Sequence, residues 1–168
     1  MTAINQFNEN LVNFVEKLKN IVGENDKDLI AFSEYCDLMH INARILIQPF
    51  QLYISNDVNY VKNILKANRQ FFITYDFIND SNVASYKQAQ TERKEEIIFK
   101  IKNIINKVPA DQIQLIFDSL KLLIYFSLLD QYKSNEDSIN IVHKYLELCL
   151  SSTDNNINKQ TLSCHIQT

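Results

Sequence analysis

At 168 residues, with 46 % hydrophobic and 22 % charged side chains, the chain has the size and balance of one globular domain, which excludes wholesale disorder. Its single glycine, Gly23, cannot supply a Walker A loop, a G-x-G-x-x-G dinucleotide turn or a G-x-S-x-G nucleophile elbow. It also leaves tight hairpins without their positive-φ residues, so an all-α fold is expected. A net charge of −3 and a pI near 5.6 argue against a general nucleic-acid binder, for which a strongly basic domain is expected.

In chain order, Phe7, Leu11, Phe14, Val15, Leu18 and Val22 recur at helical spacing between Asn5 and Val22, with Glu16, Lys17 and Lys19 opposite, and predict an amphipathic helix that stops at Gly23. Asn25 or Asp26 can cap a second helix over 27–40, carrying Leu29, Ile30, Phe32, Cys36 and Met39. A third is expected over 42–54. Pro49 lies inside it and either kinks the helix or restarts it as a first-turn residue. Ser55, Asn56 and Asp57 then form a turn that caps a helix through Val58, Val61, Ile64 and Leu65. The aromatic run at 71–78 is rich in strand formers but has no second strand to pair with, and reads as helix continuation or ordered loop. Residues 79–90 are polar and aperiodic, a candidate flexible connector between two halves.

The second half is more regular. A helix over 92–108 places Ile97, Ile98, Ile101, Ile104, Ile105 and Val108 on one stripe and ends before Pro109. The helix over 111–132 is apolar nearly all round and is therefore expected at the centre, with Leu123 in the core. A last helix over 137–150, capped by Ser134 or Asn135, turns Ile139, Val142, Leu146 and Cys149 inward. Residues 1–150 thus read as one irregular bundle of about six or seven helices in two unequal halves, and 151–168 as a polar, disordered tail.

Residue types used in catalysis are present, but not at catalytic spacings. Asp37 precedes His40 by three residues and His143 precedes Glu147 by four, with none of the Glu-x-x-His repeats that build metal sites in bundles. Cys36, Cys149 and Cys164 are odd in number and form no C-x-x-C pair, which fits reduced thiols rather than a disulfide framework or a zinc site. Cys36 and Cys149 lie on apolar helical faces, where a thiol behaves as a small hydrophobe. No cofactor or metal site is expected. The opening residues lack a secretory h-region, and the most apolar stretch, 120–129, is far shorter than a membrane span, so a cytoplasmic protein is expected.

Two clusters are candidates for contact with a partner. Phe71, Phe72, Tyr75 and Phe77, with Tyr86 nearby, are either core or the aromatic anchors of an interface. If the central helix presents a face to a partner protein, Leu115 and Leu122 are its best members. The basic residues Lys87, Arg93, Lys94, Lys100, Lys102 and Lys107 are a solvated helix face or a set of phosphate contacts.

The spacing Phe7-x3-Leu11-x2-Phe14-x3-Leu18, the Pro49-Phe50 and Tyr53-Ile54 pairs, the double aromatic Phe71-Phe72 and the late apolar helix resemble a group of uncharacterised all-helical proteins of nucleocytoplasmic large DNA viruses. The resemblance spans about Asn5 to Tyr132, although this chain has Val22-Gly23 in place of a Phe-Pro pair and has no Trp. Lysine outnumbers arginine 14 to 3, and the 22 Ile and 20 Asn use AT-rich codons, as several such viral genomes do. The resemblance carries over no functional residue.

The expectation is therefore a non-enzymatic helical protein, viral by resemblance, that acts as a structural or accessory component by binding other proteins or its own copies, in the host cytoplasm or the virion. Two alternatives stay open. One is a nucleic-acid accessory protein using the basic helix over 87–107; the other is a Bcl-2-like groove that captures a partner helix, although no Trp is present for the Asn-Trp-Gly-Arg element of that group.

Overall fold

The computed structural model describes residues 1–74 and 101–152. Within them the protein is all-helical. Helix α1 runs from Ala3–Val22; Thr2 caps it by accepting from the Asn5 amide at 3.3 Å. Gly23 ends it at φ 97°, a left-handed value that a side chain would strain, while donating to the Lys19 carbonyl. Asp26 caps α2, Lys27–Cys36, by accepting from Leu29 N at 3.0 Å. The expected single helix over 27–40 changes at Asp37 to a tighter 3-10 turn, Asp37–His40.

The helix expected over 42–54 forms differently. Residues 42–46 make turns, and α3, Ile47–Phe50, starts two residues before Pro49. The proline therefore sits in the first turn, where amides have no intrahelical acceptor and a missing N–H costs no bond. The chain continues as a π-helical turn, Gln51–Ser55, closed by Asn56 N donating to Gln51 O at 3.0 Å. Asp57 caps α4, Val58–Leu65, through the Asn59 and Tyr60 amides. After Ala67, held at φ 52°, α5 covers Arg69–Thr74, so the start of the aromatic run is helical. Residues 101–107 form α6, which Arg69 joins to α5 by donating to the carbonyls of Ile105 and Asn106. The connector over 79–90 and the start of the helix over 92–108 lie outside the described residues.

Helix α7, Ile113–Gln131, is the centre of the bundle. Ile116, Phe117, Leu120, Leu123, Ile124 and Leu128 are buried along it, and it packs most extensively against α1, then against the π turn and α4. Such a helix can leave water only if neighbours cover several faces, and α1, with Phe7, Leu11, Phe14, Val15 and Leu18 buried, supplies the longest cover. Phe117 meets Phe72 of α5 at a ring separation of 5.7 Å.

Helix α8, Ser138–Ser151, buries Val142, Tyr145 and Cys149 against α4 and α7. Two expectations for it are corrected. Ile139 is 57 % exposed rather than inward, because it lies about a quarter of the helix circumference to one side of the line through Val142, Tyr145 and Cys149, which is the line buried in the bundle. Asn135 does not cap the helix; it accepts from the Asp137 amide one turn earlier, and the helix starts at Ser138. The described chain also continues past Leu150 to a buried Ser152, while 153–168 lie outside the described residues. No described helix is long and apolar enough to cross a membrane.

Leu123 is 1 % exposed at the centre of α7. Leu123→Ala should destabilise by about 2 to 5 kcal/mol, from lost transfer energy plus the enlarged void. Urea unfolding reads this as a lowered midpoint, and a midpoint equal to wild type would show that α7 is not central.

Candidate protein interface

Helix α7 is apolar beyond the faces that α1, α4 and the π turn cover. Leu115, Leu122 and Leu129 repeat every seven residues, with Phe126 between the last two, and so fall on one side of the helix. Leu115 is 51 % and Leu122 is 43 % exposed, whereas Phe126 and Leu129 rest partly on the core. Both leucines singled out from the sequence therefore stand on the outer face. Between them Ser119 turns inward, its hydroxyl donating to Leu115 O at 3.1 Å and accepting from Lys17 of α1. Asp118 accepts from Gln114 at 2.9 Å and lies 3.6 Å from Lys121, so the charges beside the stripe are paired locally.

Helix α8 extends this surface. Tyr125 of α7 meets His143 of α8 edge to face at 5.8 Å. Ile139, Leu146 and Leu150 share the side of α8 that carries His143, at spacings of four, three and seven residues from it. Ile139 and the 44 % exposed Leu150 carry apolar area into solvent. Isolated exposed leucines are ordinary; here two exposed apolar residues stand on each of two helices that are joined at the Tyr125–His143 contact.

A buried polar network holds the far end of α7. Asp130, 3 % exposed, accepts from Arg44 Nη1 at 3.2 Å and Nη2 at 2.6 Å, and from Gln51 Nε2 at 2.9 Å. Gln51 also donates to Ser127 O, the hydroxyls of Ser55 and Ser127 share a hydrogen bond, and Tyr145 of α8 donates to Ser55 O at 2.7 Å. The π turn, α7 and α8 are thus tied together through groups that would otherwise lose hydration without compensation. Burial pushes the Asp130 carboxyl up, but Arg44, Gln51 and Lys133 more than offset it and hold the group below its ordinary value. In the sequence Asp130 marks only the end of an apolar stretch, and Arg44 lies 86 residues away. The one local sign was a serine and an aspartate three residues apart in the otherwise apolar second half of the helix, before Gln131.

The aromatic candidates separate. Phe72 is a core residue at 7 % exposure, not an interface anchor, because α5 turns it onto Phe117. Phe71 is half-buried and stacks edge-on against Tyr60 at 5.7 Å. Tyr75 and Phe77 lie outside the described residues, as do Lys87, Arg93, Lys94 and Lys100. Of the remaining basic candidates, Lys107 donates to Asp26 at 2.7 Å and Asp28 at 2.9 Å, so its charge ties α6 to the start of α2. Lys102 is half-buried on α6.

Burial pushes the thiols of Cys36 and Cys149 up to about 12, which keeps them protonated and poorly nucleophilic at neutral pH. Among the described residues no group of three or more His, Cys, Asp or Glu side chains is placed to hold a metal ion. No protein-family model matches the chain, and neither a curated protein nor a solved structure matches it.

Because the folded-state pKa of Asp130 is depressed, its contribution to stability is present above the unfolded carboxylate value of about 3.9 and is lost as pH falls through the folded value. Asp130→Asn should cost about 1 to 3 kcal/mol at pH 7, since Arg44 is exposed enough to regain water. Denaturant midpoints of variant and wild type should converge as the pH is lowered below about 4. A constant gap across that range would show that the carboxylate charge is not what holds the network.

Proposed function

We propose that this chain is a non-enzymatic helical interaction protein that docks another protein on the outer face of α7 and α8. The observation that carries the reading is the exposure of Leu115 and Leu122 on α7 and of Ile139 and Leu150 on α8, each more than two-fifths exposed, on two helices joined at the Tyr125–His143 contact. Burying such a surface against a complementary one is favourable at roughly 25 cal/mol per Å² before the costs of association. The polar network supports the reading as well, because a surface held rigid before binding loses less entropy on binding.

The partner that suits this face presents an amphipathic helix, whose apolar side chains at three- and four-residue spacing would meet the exposed residues of the two helices. On the sequence resemblance, the protein would be an accessory or structural component of a large DNA virus, acting in the host cytoplasm or the virion.

Leu115→Ala and Leu122→Ala should each shift the denaturant midpoint little, because exposed substitutions stay within about 0.5 kcal/mol. The double variant Leu115→Glu, Leu122→Glu should remain folded and lose the proteins that cross-link to the wild-type chain in its native cell. Retention of the same cross-linked proteins by the folded double variant would place the interface elsewhere.

A further inference from the structure

The backbone from Ile47 to Ser55 is irregular: Pro49 sits in the first turn of α3, and the chain then widens into the π turn over Gln51–Ser55. Single π turns are rare and recur at functional sites. One side of this one is accounted for, since Gln51 donates to α7 and Ser55 accepts from α8. The other side is not. Pro49 and Phe50 of α3 and Tyr53 and Ile54 of the π turn line an apolar pocket of about 140 Å³ beside the middle of α7.

The pocket has a deep floor and a mouth open to solvent. Phe7 and Phe14 of α1 and Leu123 of α7, each no more than 2 % exposed, form the floor, whereas Phe50, Ile54 and Ile101 of α6 are half-buried at the rim. Edge-on ring contacts, Phe7 with Phe50 at 5.2 Å and Phe14 with Phe32 at 6.3 Å, set the direction of the aromatic walls. A concave apolar site that is open in the folded chain suits a small ligand, because binding removes the surfaces of ligand and walls from water together.

The lining also decides the charge of the ligand. Lys102 is the one charged residue among the described lining residues, and it already has an interaction within the chain. Burial raises the Cys36 thiol and the Tyr53 phenol, so both stay uncharged at neutral pH. A charged ligand would lose hydration here without a compensating partner, a cost that a neutral one avoids.

We infer that this pocket is a binding site for a neutral, largely apolar small molecule whose body is about the size of benzene, any polar end being left at the mouth. Leu123 lies on a different side of α7 from Leu115 and Leu122, so the site does not rest on the docking proposed above and either can fail without the other.

The test titrates the full chain, with isotope-labelled isoleucine and leucine methyl groups, against toluene, benzyl alcohol, benzoate and benzylammonium, and follows the methyl resonances. Toluene and benzyl alcohol should shift Ile54, Ile64, Ile101 and Leu123 saturably, and the two charged analogues should bind at least about 10-fold more weakly. Leu120→Phe fills the pocket from α7 and should weaken both neutral probes by about 10-fold or more; Ile54→Trp, at the half-buried rim, serves the same purpose if the first variant misfolds. Leu115→Ala, on the docking face, should leave both affinities unchanged. No saturable shift with either neutral probe, shifts centred on Leu115 and Ile139 in place of the lining methyls, or full affinity in a folded filling variant overturns the site. Benzoate or benzylammonium binding as tightly as benzyl alcohol overturns the neutral class of ligand.

Discussion

The structure depends on one constraint, the apolar circumference of α7. A helix with Ile116, Phe117, Leu120, Leu123, Ile124 and Leu128 buried on several sides cannot rest on a single neighbour, so the chain must wrap it. Helix α1 covers it lengthwise, the π turn and α4 close a second side, and α8 folds back along a third. Among the described residues, the stripe through Leu115 and Leu122 remains exposed. The exposed surface is thus a remainder of the same property that builds the core, and the two cannot be tuned separately.

Wrapping an apolar helix leaves the polar groups of the wrapping elements at risk of burial without partners. The network around Asp130 answers this for the π turn, whose wide geometry sets its final carbonyls apart from the regular ladder. Ser55 O is satisfied by Tyr145, and Gln51 reaches both the backbone and the carboxylate of α7. The Arg44 fork closes the ring at Asp130, where two parallel contacts fix direction as well as charge. Beside the middle of α7, by contrast, Phe7, Phe14, Phe72, Leu120 and Leu123 line an apolar pocket.

The charges play a local part. Lys107 bridges Asp26 and Asp28, which also serve the start of α2, and Lys121 pairs with Asp118 one turn away. Exposed pairs of this kind contribute little stability each. Their effect here is positional: they join α6 to α2 and leave the flanks of the α7 stripe without an unbalanced charge, as suits a surface that would meet an apolar partner.

Helix type and the identity of the central helix were legible in the amino-acid order because both are local or nearly local properties. Periodicity of 3.6 residues marked α1, α4 and α7, Gly23 and Asp26 marked a stop and a start, and the all-round apolar character of 111–132 implied a central position. The exposure of Leu115 and Leu122 followed from the same pattern, since they lie off the densest face. Other features were decided only in three dimensions. Whether Phe72 was core or anchor depended on where Phe117 would stand, and Ile139 faced solvent because only one side of α8 met α4 and α7. The restart at Ile47 and the π turn depended on Gln51 and Ser55 finding partners on α7 and α8. Asp130 could be placed in the interior only by Arg44, 86 residues distant. Spacing along one helix states which residues can share a face; it cannot state what another segment will bring to that face, and burial, hydrogen bonding and cavities are all properties of that second party.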